Sequence, residues 1–67
     1  MLQDSELIEA LGGGVAVSDL ILKSRKKTVH PVTVRMWKNR NSIPQKWRIT
    51  MGVLADAAGL EWNSQNG

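Results

Sequence analysis

Every basic residue of this chain falls between Lys23 and Arg48, and no acidic residue falls there. The nine are Lys23, Arg25, Lys26, Lys27, Arg35, Lys38, Arg40, Lys46 and Arg48. Asp4, Glu6, Glu9 and Asp19 precede them; Asp56 and Glu61 follow. The formal net charge is only +3, so the charge is segregated rather than extreme. A face with so many cations holds a positive potential, and the chemistry it offers is the binding of a polyanion. Trp37 and Trp47 lie in the same stretch, which makes it a folded, apolar-anchored element rather than a solvated run of charge.

Other groups offer less. Gly12, Gly13 and Gly14 raise the question of a phosphate-cradling loop, but no Lys-Ser or Lys-Thr pair follows them and no strand precedes them. Asp19 and Asp56 could serve as a pair of catalytic carboxylates, yet nothing in their spacing brings them together. His30 is the single histidine and there is no cysteine, so neither a metal site nor a histidine-based triad can be assembled. Trp37 and Trp47 could stack on unpaired bases; at helical spacing among valines and leucines they are expected in the core. Sixty-seven residues supply little wall for a substrate pocket. A binding module is expected, with no enzymatic activity, cofactor, metal or small-molecule substrate.

The length fits one domain over residues 1–67, burying about 60% of its unfolded surface. No apolar run approaches the roughly 20 residues of a membrane span, and no signal-like segment opens the chain. A soluble, intracellular domain without membrane contact is expected.

The spacing of Leu7, Ile8 and Leu11 predicts a helix over Ser5 to Leu11, capped by Asp4 or Ser5 and stopped by the glycines. Val15 to Leu22 is broadly apolar and predicts a second helix wedged between others. Lys23 to Thr28 is polar and basic; it reads as a loop, or else the second helix runs on. Pro31 suits the first position of a third helix reaching about Asn39, with Val34, Trp37 and Met36 facing inward. Ser42 to Gln45 has the pattern of a capping box, with the serine oxygen taking the Gln45 N–H. It opens a last helix from about Pro44 to Ala58. Trp47, Met51, Leu54, Ala55 and Ala58 share one face of it, and Gly59 ends it. Leu60 and Trp62 are expected to fold back on the core, and Asn63 to Gly67 to form a frayed tail.

Val29, Val34 and Trp37, with His30 at the cap, resemble the V-S-x-x-x-V-x-x-W pattern of helix-turn-helix proteins, histidine replacing serine. The stretch from Trp37 through Ser42-Ile43-Pro44 to Trp47 is similar to the W-x-x-x-x-S-I-P-x-x-W or -H segment of small prophage Cro-type repressors. These form the YdaS-like group of the lambda-repressor-like superfamily. Leu11-Gly12-Gly13 also fits that pattern. Two features depart from it, the long basic connection from Lys23 to Thr28 and the histidine cap.

The resemblance implies an all-α domain of four or five short helices around a helix-turn-helix, lambda-repressor-like in type. It implies a sequence-specific, duplex-DNA-binding transcriptional regulator, a phage or prophage repressor of the Cro type, in the cytoplasm of a bacterial or phage-infected cell. The third helix would enter the major groove. Pro31, Val32, Thr33 and Arg35 would then face the bases, with Lys38 or Asn39 at the groove edge. Lys23, Arg25, Lys26, Lys27, Arg40, Lys46 and Arg48 would bind phosphates, joined by the Ile43 and Gln45 N–H groups. A homodimer on a two-fold operator is implied, with Leu60-Glu61-Trp62 as the expected contact. The alternatives are an excisionase-like architectural protein, a single-strand or RNA binder, and a basic protein-interaction or antitoxin module.

Overall fold

Four helices build the protein in the computed structural model, which describes residues 1–62: α1 (Asp4–Ala10), α2 (Gly14–Arg25), α3 (Pro31–Arg40) and α4 (Gln45–Ala57). The fold is all-α, and among the described residues there is no strand. A single parallel bridge joins Leu2 to Trp62, with the Leu2 N–H donating to the Glu61 carbonyl at 2.8 Å. None of these helices is long and apolar enough to cross a membrane. The expected frayed tail, Asn63 to Gly67, lies outside the described residues.

The helices meet around one core of Leu7, Ile8, Val17, Ile21, Val29, Val34, Trp37, Ile43, Met51, Leu54 and Ala55. Each fully buried Val, Leu or Ile is worth about 1.5–3 kcal/mol, far more than an exposed ion pair, so this apolar set holds the fold. α3 packs on both α2 and α1, while α4 packs chiefly on α2. Trp37 is 2% exposed, and its ring lies 5.7 Å from that of half-buried Trp47, tilted by 41°. Both indoles therefore serve packing, as their spacing predicts.

The helix ends differ from expectation in instructive ways. The N-cap of α1 is Gln3, whose N–H donates to the Glu6 carboxylate at 2.8 Å. Ser5 is not the cap; its N–H donates to the side-chain oxygen of Asn41, 3.0 Å away at the far end of α3. Asn41 can reach because it adopts the left-handed conformation, φ +52°, and its amide nitrogen also donates to the Gln3 side chain. Ser42 donates its N–H to the Trp37 carbonyl and does not cap α4; Pro44 stands at that cap without a side-chain bond. α2 runs on to Arg25, since Lys and Arg are good helix formers and no breaker intervenes before Lys26, which turns left-handed. At the end of α4 Gly59 (φ +70°) lets the Leu60 N–H reach the Ala55 carbonyl. Ala58, expected on the inner face, is exposed.

One polar cluster is buried inside. The Asp4 carboxylate accepts from the Ile43 N–H at 2.8 Å, from Arg48 at 2.8 and 3.3 Å, and from the Trp62 indole N–H at 3.0 Å. The guanidinium also donates to the Ile43 carbonyl at 3.2 Å and lies 4.8 Å from the Trp62 ring. Arg48 is 3% exposed. Burial pulls the Asp4 carboxyl upward. The hydrogen bonds from Arg48, Ile43 and Trp62, and the Arg48 charge, outweigh it and hold the carboxyl below its ordinary 3.8. Three separate segments converge on one carboxylate of α1.

Candidate nucleic-acid interface

α2, a five-residue connection and α3 form the unit that presents the basic surface. The connection is short because α2 extends three residues into the stretch expected as loop. Its course is set from α2, where the Ser18 hydroxyl donates to the Val29 carbonyl. Val29 is buried in the core, while Lys26, Lys27 and Thr28 before it are exposed. Gly14, at the start of α2, lies against the first turn of α3. A methyl group there would lie 2.7 Å from the Pro31 carbonyl oxygen, so only glycine permits this approach.

The His30 cap is present: its Nδ1 accepts from the Val32 N–H at 3.0 Å. The ring nitrogen accepts there as a serine oxygen does at a helix N-cap. The His30 carbonyl takes the Thr33 and Val34 N–H groups at 2.9 and 3.2 Å, and α3 starts sharply.

Val34 and Trp37 point inward, which turns the opposite side of α3 to solvent. Val32, Arg35, Met36 and Asn39 are exposed and follow i, i+3, i+4, i+7 spacing, which puts them on one outward stripe. Thr33 and Arg40 are exposed beside it. Two expected base-facing residues sit differently. Pro31 is half-buried at the approach of α2. Lys38 is half-buried too, and its ammonium lies 3.7 Å from the Glu9 carboxylate, which turns it toward α1. Met36, expected to face inward, is 51% exposed in the middle of the stripe. Its position relative to Val32 and Asn39 was the signal for this, since methionine itself suits either face.

Of the expected phosphate contacts, Lys23, Arg25, Lys26, Lys27, Arg40 and Lys46 are exposed. Lys23 pairs with Asp19 at 3.0 Å on the surface of α2. Lys46 holds its ammonium 5.7 Å from the Trp47 ring. Arg48 is a correction, because it is spent on Asp4 in the interior and is not presented to solvent. The Ile43 N–H is likewise taken by Asp4 and cannot meet a phosphate. Among the described residues, Arg25, Lys26, Lys27, Arg35 and Arg40 have no carboxylate within ion-pair distance. Of the expected dimer contact, Leu60 and Trp62 are half-buried against the core and Glu61 is exposed.

No protein-family model, curated protein or solved structure matches this chain. At ten residues α3 is about 15 Å long, and its outward stripe carries apolar Val32 and Met36 beside polar Arg35 and Asn39. Among the described residues no cluster of His, Cys, Asp or Glu could hold a metal ion.

Proposed function

We propose that this chain binds duplex DNA as a sequence-reading regulator, of the repressor type its resemblance implies, with α3 lying in the major groove. The observation that carries this reading is the outward stripe Val32, Arg35, Met36 and Asn39, set beside exposed cations that no carboxylate among the described residues pairs with. Arg35 has the geometry to donate to O6 and N7 of guanine, Asn39 to pair with N6 and N7 of adenine, and Val32 and Met36 to meet a thymine methyl. Thr33 adds a hydroxyl and a methyl at the edge. Arg25, Lys26, Lys27 and Arg40, with Lys23 in exchange with Asp19, supply phosphate contacts that hold the helix in register.

Burial of Trp37 argues against the single-strand alternative, because an indole inside the core offers no stacking face. An excisionase-like reading needs a β-wing after α3; α4 occupies that part of the chain.

Anisotropy titrations on labelled duplexes over a salt series test the proposal. Four or five phosphate contacts give a slope of log affinity against log salt of about −4. Arg35→Ala should cost about 1–3 kcal/mol on the preferred site and flatten the preference at one base pair. A slope near zero refutes polyanion binding. A steep slope with no sequence preference in the wild type refutes base reading by α3.

A further inference from the structure

α4 has a second exposed face that neither the core nor the basic surface uses. Ile49 is 76% exposed and Val53 39%, one turn apart, and Gln45, Lys46, Asp56 and Ala57 are exposed around them. Gly52 lies beside this pair inside the helix, where glycine weakens helix formation relative to alanine but lets a second backbone come near. Ile49 and Val53 form an apolar stripe that no other described residue covers.

The arrangement of these residues says what covers the stripe. α4 runs from Gln45 to Ala57, so its midpoint is Met51. Ile49 and Val53 stand two residues either side of that midpoint, and Lys46 and Asp56 five residues either side. An antiparallel copy of the same helix, centred on Met51, sets Ile49 level with Val53 and Lys46 level with Asp56. Both ion pairs and both apolar contacts form at once, as a two-fold interface requires. Within one copy Lys46 and Asp56 are about 15 Å apart along the axis and cannot pair. A parallel copy would set lysine beside lysine and aspartate beside aspartate.

We propose that the outer face of α4 is a self-association surface on which a second copy of this chain docks its own α4, antiparallel, with Ile49 against Val53 and Lys46 against Asp56. Lys46, expected as a phosphate contact, belongs to this face instead. The pairing needs no nucleic acid and stands whether or not the chain binds DNA.

Sedimentation equilibrium on the full chain without DNA tests it. A single helix pair is a small interface, so the average mass should rise from one copy toward two between about 10 µM and 1 mM. Ile49→Asp should keep the helical circular dichroism, since Ile49 adds nothing to the core, and remain a single copy at the highest concentration. Asp56→Lys places like charges together at both ends and should weaken association at least about tenfold. Adding Lys46→Asp to that variant restores opposite charges and should recover most of the loss. The proposal is overturned by a wild type that stays a single copy at about 1 mM, or by Ile49→Asp associating like the wild type. It is equally overturned if the double exchange associates no better than Asp56→Lys alone, because then the antiparallel register is wrong.

Discussion

Replacing Asp4 by asparagine should cost this protein a large share of its stability, although the change removes no carbon atom. The carboxylate is the shared acceptor of Ile43, Arg48 and Trp62, and the guanidinium opposite it is 3% exposed. An asparagine keeps one acceptor oxygen and turns an NH2 group toward donors. Arg48 then keeps a full charge in the interior beside a neutral amide in place of the Asp4 carboxylate. Breaking a buried pair from one side costs about 3–5 kcal/mol. At about 0.05–0.15 kcal/mol per residue, a chain of 67 residues has roughly 3–10 kcal/mol in all. Urea unfolding followed by tryptophan fluorescence and by circular dichroism reads the difference directly. Arg48→Met made in the Asp4→Asn background should be milder than the sum of the two single changes, because it removes the stranded charge. A loss under about 0.5 kcal/mol for Asp4→Asn, the level of an ordinary surface change, would refute the reasoning. So would strictly additive single and double changes.

The same carboxylate sets the acid limb of stability. Its folded pKa lies below the ordinary 3.8, so its contribution is complete above that value and is lost as pH falls through the lower folded one. Asp4→Asn should therefore flatten the fall in unfolding free energy below about pH 4, measured by urea titration at each pH. Trp37→Ala should cost about 3–5 kcal/mol and leave little native circular dichroism at 37 °C, as truncation of a buried aromatic does. Gly14→Ala separates two effects: helix propensity alone would stabilise by up to about 1 kcal/mol. The contact at 2.7 Å from the Pro31 carbonyl must instead displace backbone, so a net loss of about 1–3 kcal/mol is expected in thermal melts.

Features governed by neighbours in sequence were legible without the structure. Val34 and Trp37 define the inner side of α3, Pro31 and His30 define its start, and Gly59 ends α4 as glycine does. Each depends on residues within one or two turns. The misreadings share a different origin. Asp4 has the chemistry of a cap and sits where caps sit, yet it is bound by a residue 44 positions away. Arg48 belongs by charge to the basic stretch and by packing to the interior, and only the position of Asp4 decides between them. Asn41 looks like a helix breaker; its work in holding Gln3 and Ser5 is invisible until α1 and α3 are side by side. The stretch from Lys23 leaves loop and helix both open by polarity, and the helix-forming side chains of Lys23 and Arg25 continue α2. On the candidate interface Arg35, Val32, Thr33 and Asn39 emerge as expected, whereas Lys38 is turned by Glu9, a residue of another helix.

The convergence on Asp4 also governs when the domain can form as it is made. The first turn of α1 leaves the ribosome early, but its acceptor finds Ile43, Arg48 and Trp62 only after these have been synthesised and have emerged. At about 5–20 residues per second that interval is a few seconds, during which a carboxylate destined for the interior stays in water. No nascent chain ending before Trp62 can complete the polar cluster, so α1, the segment before α4 and α4 itself are tied together through Asp4 only once Trp62 is outside. Closure of the cluster is thereby timed by its last donor rather than by the synthesis of its acceptor.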